Sequence, residues 1–336
     1  MDTTGNRFAR AVIVLAGAIV AAVVGYLAFV VLPEGNLAAL FGVLLTVGVA
    51  FVGVRMARGF ATSVFAPYNV ARVAVEGPIA RRPGGAVPLQ PTLTTADDIV
   101  DQIERATENE AVRGLLVKLN TPGGEVVPSD DIRRAVEAFD GPTIGYATDT
   151  CASGGYWIAS GCDHVVAREG SIVGSIGVIA SRVTGAGLLD RLGLTYERLV
   201  AGDYKDAGAA LKDMESEERE YLQGIVDDYY EAFVDRVTDG REELDEASIR
   251  ETEARVFLGE EALELGLVDD LGDDEVVEEW LEAELGEPVD IVDFVPTRGL
   301  AERLRMGAER VAFALGSGMT SVLVDEGDTV SEIRFR

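Results

Sequence analysis

The sequence predicts an α/β domain built on a mostly parallel sheet, preceded by an apolar helical hairpin. Three observations carry this expectation. Two long uncharged stretches, residues 11–32 and 37–54, open the chain. From about residue 70, short apolar runs alternate with amphipathic ones, the pattern of crossover βαβ units. Two glycine turns, "NTPGGEV" and "ASGG", each follow a predicted strand, and parallel sheets place their functional loops at strand C-terminal ends.

The first apolar stretch meets the length of a membrane span, about 20 residues, and exceeds the core of a signal peptide. The second is shorter and contains glycine. Arg7 and Arg10 precede the pair, Arg55 and Arg58 follow it, and the turn between holds only Glu34. Residues 1–60 are therefore expected to form a two-span anchor in the cell membrane. The positive-inside rule puts both termini and everything from residue 61 on the cytoplasmic side.

Beyond the anchor, residues 61–297 read as one domain and residues 298–336 as an amphipathic tail. Residues 72–77 form a strand. Residues 95–109 form a helix that puts Ile99, Ile103 and Ala106 on one face, with Thr95 or Asp97 at its cap. Residues 114–119 are an apolar strand. Residues 129–140 are a helix with a Ser or Asp cap. Strands follow at 142–147 and 164–168, and "RRPGGAVPLQP" within 79–92 reads as a loop. In the tail, Leu300, Leu304, Val311 and Ala312 make an apolar stripe suited to core packing or to a membrane surface.

Composition narrows the partners. The chain carries 58 acidic and 29 basic residues, a net charge of −29, which excludes the basic surfaces that nucleic acids require. Only Lys118, Lys205 and Lys212 are lysines; the other basic residues are arginines. Acidic excess with scarce lysine suits a protein working at high salt, where screening removes self-repulsion. Cys151 and Cys162 make neither a disulfide framework nor a zinc set and read as buried small hydrophobes. "GSIVGSIG" lacks dinucleotide-loop spacing and no phosphate-binding loop exists, so no cofactor and no metal are expected.

The glycine turns permit acyl-transfer chemistry. Glycine lets a backbone N–H approach a ligand closely, and two such turns at neighbouring strand ends can aim donors at one developing oxyanion. Each donor contributes roughly 3 kcal/mol in a water-excluded site. Ser153 would attack a carbonyl, with Gly154 and Gly124, or Gly123 in its place, holding the oxyanion. An isolated "SGG" is more often a helix cap and turn. The base is the harder question. His164 is the only histidine; it opens an apolar strand past the intervening helix and reads as a strand-end residue. A lysine serves instead when burial lowers its pKa from ~10.4 towards 7, and arginine cannot replace it. Lys205 lies in the small-residue stretch "AGDYKDAGAA". Lys212, at a polar helix start, reads as a solvated surface residue, and Lys118 as a residue snorkelling at its strand end.

With these residues in place, the chain resembles the signal peptide peptidase A family over about residues 70 to 285. The ordered motifs are "LNTPGGEV" (119–126), "CASGGYWIAS" (151–160), "GSIGVI" (174–179), "AGDYKDAG" (201–208) and "FLGEEALELGLVDDLG" (257–272). The resemblance implies the Clp protease/crotonase fold of repeated β-β-α/βαβ units. It implies a serine endopeptidase with Ser153 as nucleophile, Lys205 as general base, Ser175 orienting that lysine, and Gly124 and Gly154 in the oxyanion hole. It further implies a ring-like homo-oligomer whose Ser and Lys come from adjacent subunits, acting on remnant signal peptides and other unfolded or membrane-proximal polypeptide. The family mostly places its catalytic domain outside the cell, against the positive-inside expectation. Thr121 stands where the family commonly has Ser. Asp203 and Asp206 flank Lys205 and must point away from its ammonium, or they hold it protonated.

Two rival functions remain at this level. One is an acyl-CoA hydratase or isomerase of the same fold, for which Glu125 beside the turn is the relevant residue. The other is a non-catalytic membrane scaffold.

Overall fold

The computed structural model describes residues 3–31, 36–64, 68–81, 94–241 and 243–296. Two helices come first, α1 (Thr3–Tyr26), which ends in a π-helical turn at Leu27–Val31, and α2 (Asn36–Val64). They pack antiparallel on small residues. Gly17 meets Ala57, Gly53 meets Ala21, and Gly25 meets Thr46. Small side chains let helix backbones approach closely, the usual means of helix association where lipid removes the hydrophobic drive. Residues Ala11–Val31 form one helix long and apolar enough to cross a membrane, and within α2 the described apolar stretch is shorter, Leu45–Ala57.

The remaining elements are β1 (Val70–Glu76), α3 (Ala96–Thr107), β2 (Gly114–Thr121), α4 (Val126–Glu137), β3 (Thr143–Ala152), α5 (Gly154–Ala159), β4 (His164–Ala167), β5 (Ile172–Gly174), α6 (Ala186–Arg191), α7 (Ser216–Gly240), α8 (Glu246–Glu251), β6 (Val256–Leu258), α9 (Gly259–Glu264), β7 (Asp270–Leu271), α10 (Asp274–Leu285) and β8 (Ile291–Asp293). They form a mixed α/β domain. The sheet order is β6-β5-β3-β2-β1-β8, with β4 paired to β3 and β7. The described pairings are parallel except β5 with β6.

Both faces of the sheet are covered, as a parallel sheet requires. Leu115, Val117 and Leu119 of β2 point to one face, where Ile99, Ile103, Ile132, Val136 and Phe233 meet them in one buried cluster. Leu116 points the other way and joins Ile144, Tyr146, Val166, Val277 and Leu281. This period-two alternation fixes which face each helix covers.

β3 organises the functional end. It pairs with β4 near its start, Ile144 opposite His164, and with β5 at its finish, Ala152 opposite Gly174. A register shift between Leu119 and Thr121 of β2 separates the two regions. The strand expected at 142–147 therefore runs on to Ala152, because β5 supplies a second partner for its polar end.

Local expectations needed adjustment elsewhere. Thr95, not Asp97, caps α3, and Asp98 completes a capping box. The helix expected at 129–140 starts at Val126 with Glu125 as its N-cap. Pro128 falls in its first turn, where a missing N–H costs nothing. Ser129 is consequently inside the helix and buried, and its Oγ donates to the Glu125 carbonyl. Residues 82–93 of the expected loop and the whole tail 298–336 lie outside the described residues.

Candidate active site

Ser153 continues the β3–β5 ladder by one bond, its N–H donating to the Gly174 carbonyl at 2.8 Å. The chain then turns sharply into α5. Ser153 takes φ 53° and ψ −120°, a conformation costly for any residue with a Cβ. Its hydroxyl makes no capping hydrogen bond to the helix it precedes. The cap reading thus fails on geometry: the turn holds the side chain up at the strand end and leaves Oγ unspent.

The two glycine turns converge on this residue. Gly123 has φ +89°, and a Cβ there would lie 2.5 Å from the Gly154 nitrogen and 2.8 Å from the Ser153 Cβ. A Cβ on Gly154 would overlap Ser129 Oγ and come 3.2 Å from the Gly124 nitrogen. Only glycine allows these backbones so close.

Hydrogen bonding separates the candidate donors. The Gly123 N–H donates to Thr121 Oγ1 at 3.0 Å, and Thr121 Oγ1 donates to the Gly77 carbonyl at 2.6 Å. Gly123 is therefore committed, which removes it as the alternative oxyanion donor. Ile79 donates to the Gly123 carbonyl and accepts from the Glu125 N–H, both at 2.9 Å, so the turn is clamped from its other side. Among the described residues, the N–H groups of Gly124 and Gly154 have no intramolecular partner. The supports supplied by Thr121, Ser129 and Ile79 carry no chemical signature in the sequence; their roles arise from where β1 and β2 end.

Ser175 follows Gly174 and has φ 54°. Its N–H donates to the Arg255 carbonyl at 2.8 Å. The structure thus brings Ser153, Gly124, Gly154 and Ser175 to one sheet end.

Lys205 is not brought into that group. It is exposed, lies in the turns between α6 and α7, and its ammonium makes no hydrogen bond or ion pair among the described residues. Asp203 is exposed. Asp206 is turned inward and accepts from Arg198 at 2.8 Å and from Lys212 at 3.3 Å. Lys212 corrects an expectation: its side chain is only 12% exposed and pairs with Asp206 and Glu218. The Glu218 hydrogen bond raises its pKa, against the opposing pull of desolvation. That pairing makes it unsuited to accept a proton. Lys118 lies within β2, half-buried.

His164 sits at the wrong end of the sheet. It pairs with Ile144, at the start of the strand whose finish carries Ser153, about 23 Å away at ~3.3 Å per ladder position. Its ring stacks on Trp280 with centroids 4.9 Å apart, and Nε2 lies 3.0 Å from Asp270. It is a structural residue within this chain. Cys151 and Cys162 are buried, and burial pushes the Cys151 thiol up to about 12, so it is no nucleophile. Glu125 is exposed, and its carboxylate accepts from the Arg81 N–H at 3.3 Å.

Comparison with known proteins fits this arrangement. Residues 139–286 match the model of peptidase family S49, a segment that includes Ser153, Ser175 and Lys205 but begins after Gly124. A Methanocaldococcus jannaschii protein named as a candidate protease is 36% identical over 53% of this chain and 57% of its own length. An Enterococcus faecium protein named as a candidate signal peptide peptidase is 35% identical over 52% of each chain. The chloroplastic serine protease SPPA of Arabidopsis thaliana is 28% identical over 59% of this chain and 28% of its own. The chain spans about half the length of the first two relatives.

Proposed function

Because residues 139–286 of this chain match the model of peptidase family S49, we propose that the protein is a membrane-anchored serine endopeptidase working through Ser153 and Lys205. The observation that carries this reading is the Ser153 turn: a strained, uncapped serine beside two unpartnered glycine N–H groups. Ser153 Oγ attacks the scissile carbonyl carbon while its proton passes to the neutral Lys205 amine. The carbonyl oxygen becomes an oxyanion held by the Gly124 and Gly154 N–H groups. The lysine ammonium then protonates the departing amine as the C–N bond breaks. Water attacks the acyl-enzyme, gives its proton to Lys205, and Ser153 leaves with a proton restored.

Lys205 has no contact with Ser153 within one chain, so the lysine is supplied by a neighbouring copy in a ring-like homo-oligomer. Ser175 orients it. The fold assigned to the domain is that of the Clp protease and crotonase. The apolar α1 helix ties the enzyme to the membrane, and its packing against α2 favours a two-span hairpin. Substrates are remnant signal peptides and other membrane-proximal polypeptide. The hydratase alternative loses its acid–base candidate, since Glu125 is turned to the Arg81 backbone.

A fluorophosphonate probe tests the assignment. Labelling is expected at Ser153 and lost in Ser153→Ala. Lys205→Ala and Lys205→Arg are both expected to abolish cleavage of a signal-peptide mixture, because guanidinium keeps its proton. Full activity in Lys205→Arg, or no labelling of the assembled protein, overturns it.

A further inference from the structure

We propose that Arg198 and Lys212 are positioning residues that hold the Asp206 carboxylate away from its neighbour Lys205, leaving that lysine able to lose its proton. The inference rests on the reading of Lys205 as general base. An aspartate directly after a catalytic lysine is a hazard: a carboxylate against the ammonium favours the charged form. In this chain the hazard is met by diversion. Asp206 is 11% exposed, and its Oδ1 takes both the Arg198 guanidinium at 2.8 Å and the Lys212 ammonium at 3.3 Å. Its Oδ2 is buried without a partner, out of reach of the solvent-exposed Lys205.

The clamp is anchored on both sides. Lys212 also pairs with Glu218, 5% exposed, in the first turn of α7. Arg182 donates to the carbonyls of Ala209 and Lys212 and so fixes the intervening backbone. Between the anchors the chain runs through tight turns, Lys205 N–H to Gly202 and Ala207 N–H to Tyr204, and it leaves Lys205 exposed while the Asp206 side chain is mostly covered. The charged groups facing this region are Arg198, Lys212 and Glu218 around Asp206, with Asp203, Glu215 and Glu217 at the rim of the same cleft; Tyr204 packs at a tilt against Tyr221 beside it. Both cations act on one partly buried carboxylate, where charge interactions are screened less than at the surface.

The test is the pH profile of kcat/KM in the assembled enzyme. Lys212→Met paired with Glu218→Gln loosens the hold on Asp206 by removing one of its two cations, without leaving Glu218 an orphaned charge. The pH at which activity falls on the acid side is expected to move up by about one unit, roughly a tenfold loss below it. Adding Asp206→Asn to that variant should return the limb to its original position. Asp206→Asn alone should leave the limb where it is, since the carboxylate does not touch Lys205. If the paired variant does not fold, Arg198→Gln, which removes the 2.8 Å partner, gives the same comparison. An unmoved limb in a folded variant, or a shift that Asp206→Asn does not reverse, overturns the proposal. Lys205→Ala is the control: retained activity there means that the base assignment itself has failed, whereas an inactive Lys205→Ala beside an unmoved limb refutes the clamp alone.

Discussion

The Ser153 N–H donates to the Gly174 carbonyl at 2.8 Å, and the next residue, Ser175, donates to Arg255 at the same distance. The nucleophile candidate is thereby tied to the end of β5, and that same end to the segment before β6. Non-glycine residues with positive φ gather along this path: Ser153, Ser175, Glu253 and Ala254. Such strain persists where surrounding structure over-determines it, and it clusters at functional sites.

Gly154 should tolerate no side chain. Its added Cβ would overlap Ser129 Oγ and crowd the Gly124 nitrogen. Gly154→Ala is expected to lower kcat by about 10²–10³, the usual effect of losing one oxyanion donor, with KM changed less. Adding Ser129→Ala removes the overlapping hydroxyl and should recover part of the loss. No recovery in steady-state kinetics would place the defect elsewhere than in that contact.

His164 should be dispensable for turnover and useful for stability. It joins β4 to α10 by stacking on Trp280 and to β7 through Asp270. His164→Ala is expected to keep kcat/KM within about twofold while lowering stability by about 1 kcal/mol, in the range of an aromatic contact. Kinetics and thermal melting of the same preparation separate the two effects. A collapse of activity in a folded protein would restore histidine as the base.

Much of the fold is legible in the sequence. The alternation of apolar and amphipathic runs located β1, α3 and β2 to within two residues, because their burial patterns are simple. The ends of β3 and α4 were not legible. β3 extends through the polar residues Thr148 to Thr150 because a second strand, distant in sequence, waits to pair with them. α4 begins early because Glu125, held extended by its N–H bond to the Ile79 carbonyl, takes the N-cap position. At the site, the glycines and Ser153 announce themselves by type. The commitment of Gly123 to Thr121, and the burial of Lys212 in an ion-pair network, depend on tertiary neighbours that no local pattern encodes.

Acid should act on the Arg241–Asp269 pair. Burial raises the Asp269 carboxyl, but the Arg241 hydrogen bonds and charge, with the Val165 N–H, outweigh it and leave its pKa below the usual carboxylate range. A folded pKa below the unfolded value of ~3.9 gives stability that is present above about pH 4 and lost as pH falls through the folded value. Arg241→Met should therefore cost about 3 kcal/mol at pH 7 by stranding a partly buried carboxylate. It should also flatten the acid decline that the wild type shows below pH 4. Asp269→Asn in the same chain should recover most of the loss. Urea unfolding at pH 7 and pH 3 measures both. Equal sensitivity to acid in wild type and Arg241→Met would exclude the pair as its source.

Complementation tests the shared site. Ser153→Ala and Lys205→Ala proteins, each inactive alone, are expected to regain partial activity when their subunits exchange. Mixed interfaces then pair one intact serine with one intact lysine. The structural basis is the exposed Lys205, whose ammonium has no partner among the described residues of its own chain. Native mass spectrometry establishes that exchange has occurred; no activity in a mixed assembly argues for a site completed within one chain.

The number of crossings made by α1 and α2 decides which side of the membrane the domain faces. Gly17 against Ala57, Ala21 against Gly53 and Gly25 against Thr46 make a continuous antiparallel contact. That contact suits two helices crossing together, with Arg7 and Arg10 at one end of the pair and Arg55 and Arg58 returning to the same end. The positive-inside rule then expects residues 68–296 in the cytoplasm. One crossing alone, by residues 11–31, would carry the domain to the other side. A reporter cysteine decides between them. Ser216 is exposed at the start of α7, and Cys151 and Cys162 are replaced to leave Ser216→Cys as the single thiol. An impermeant thiol reagent applied to intact cells should leave it unlabelled, and lysis should expose it to rapid reaction. Labelling without lysis would mean that α2 does not cross, and that cleavage takes place on the outer face.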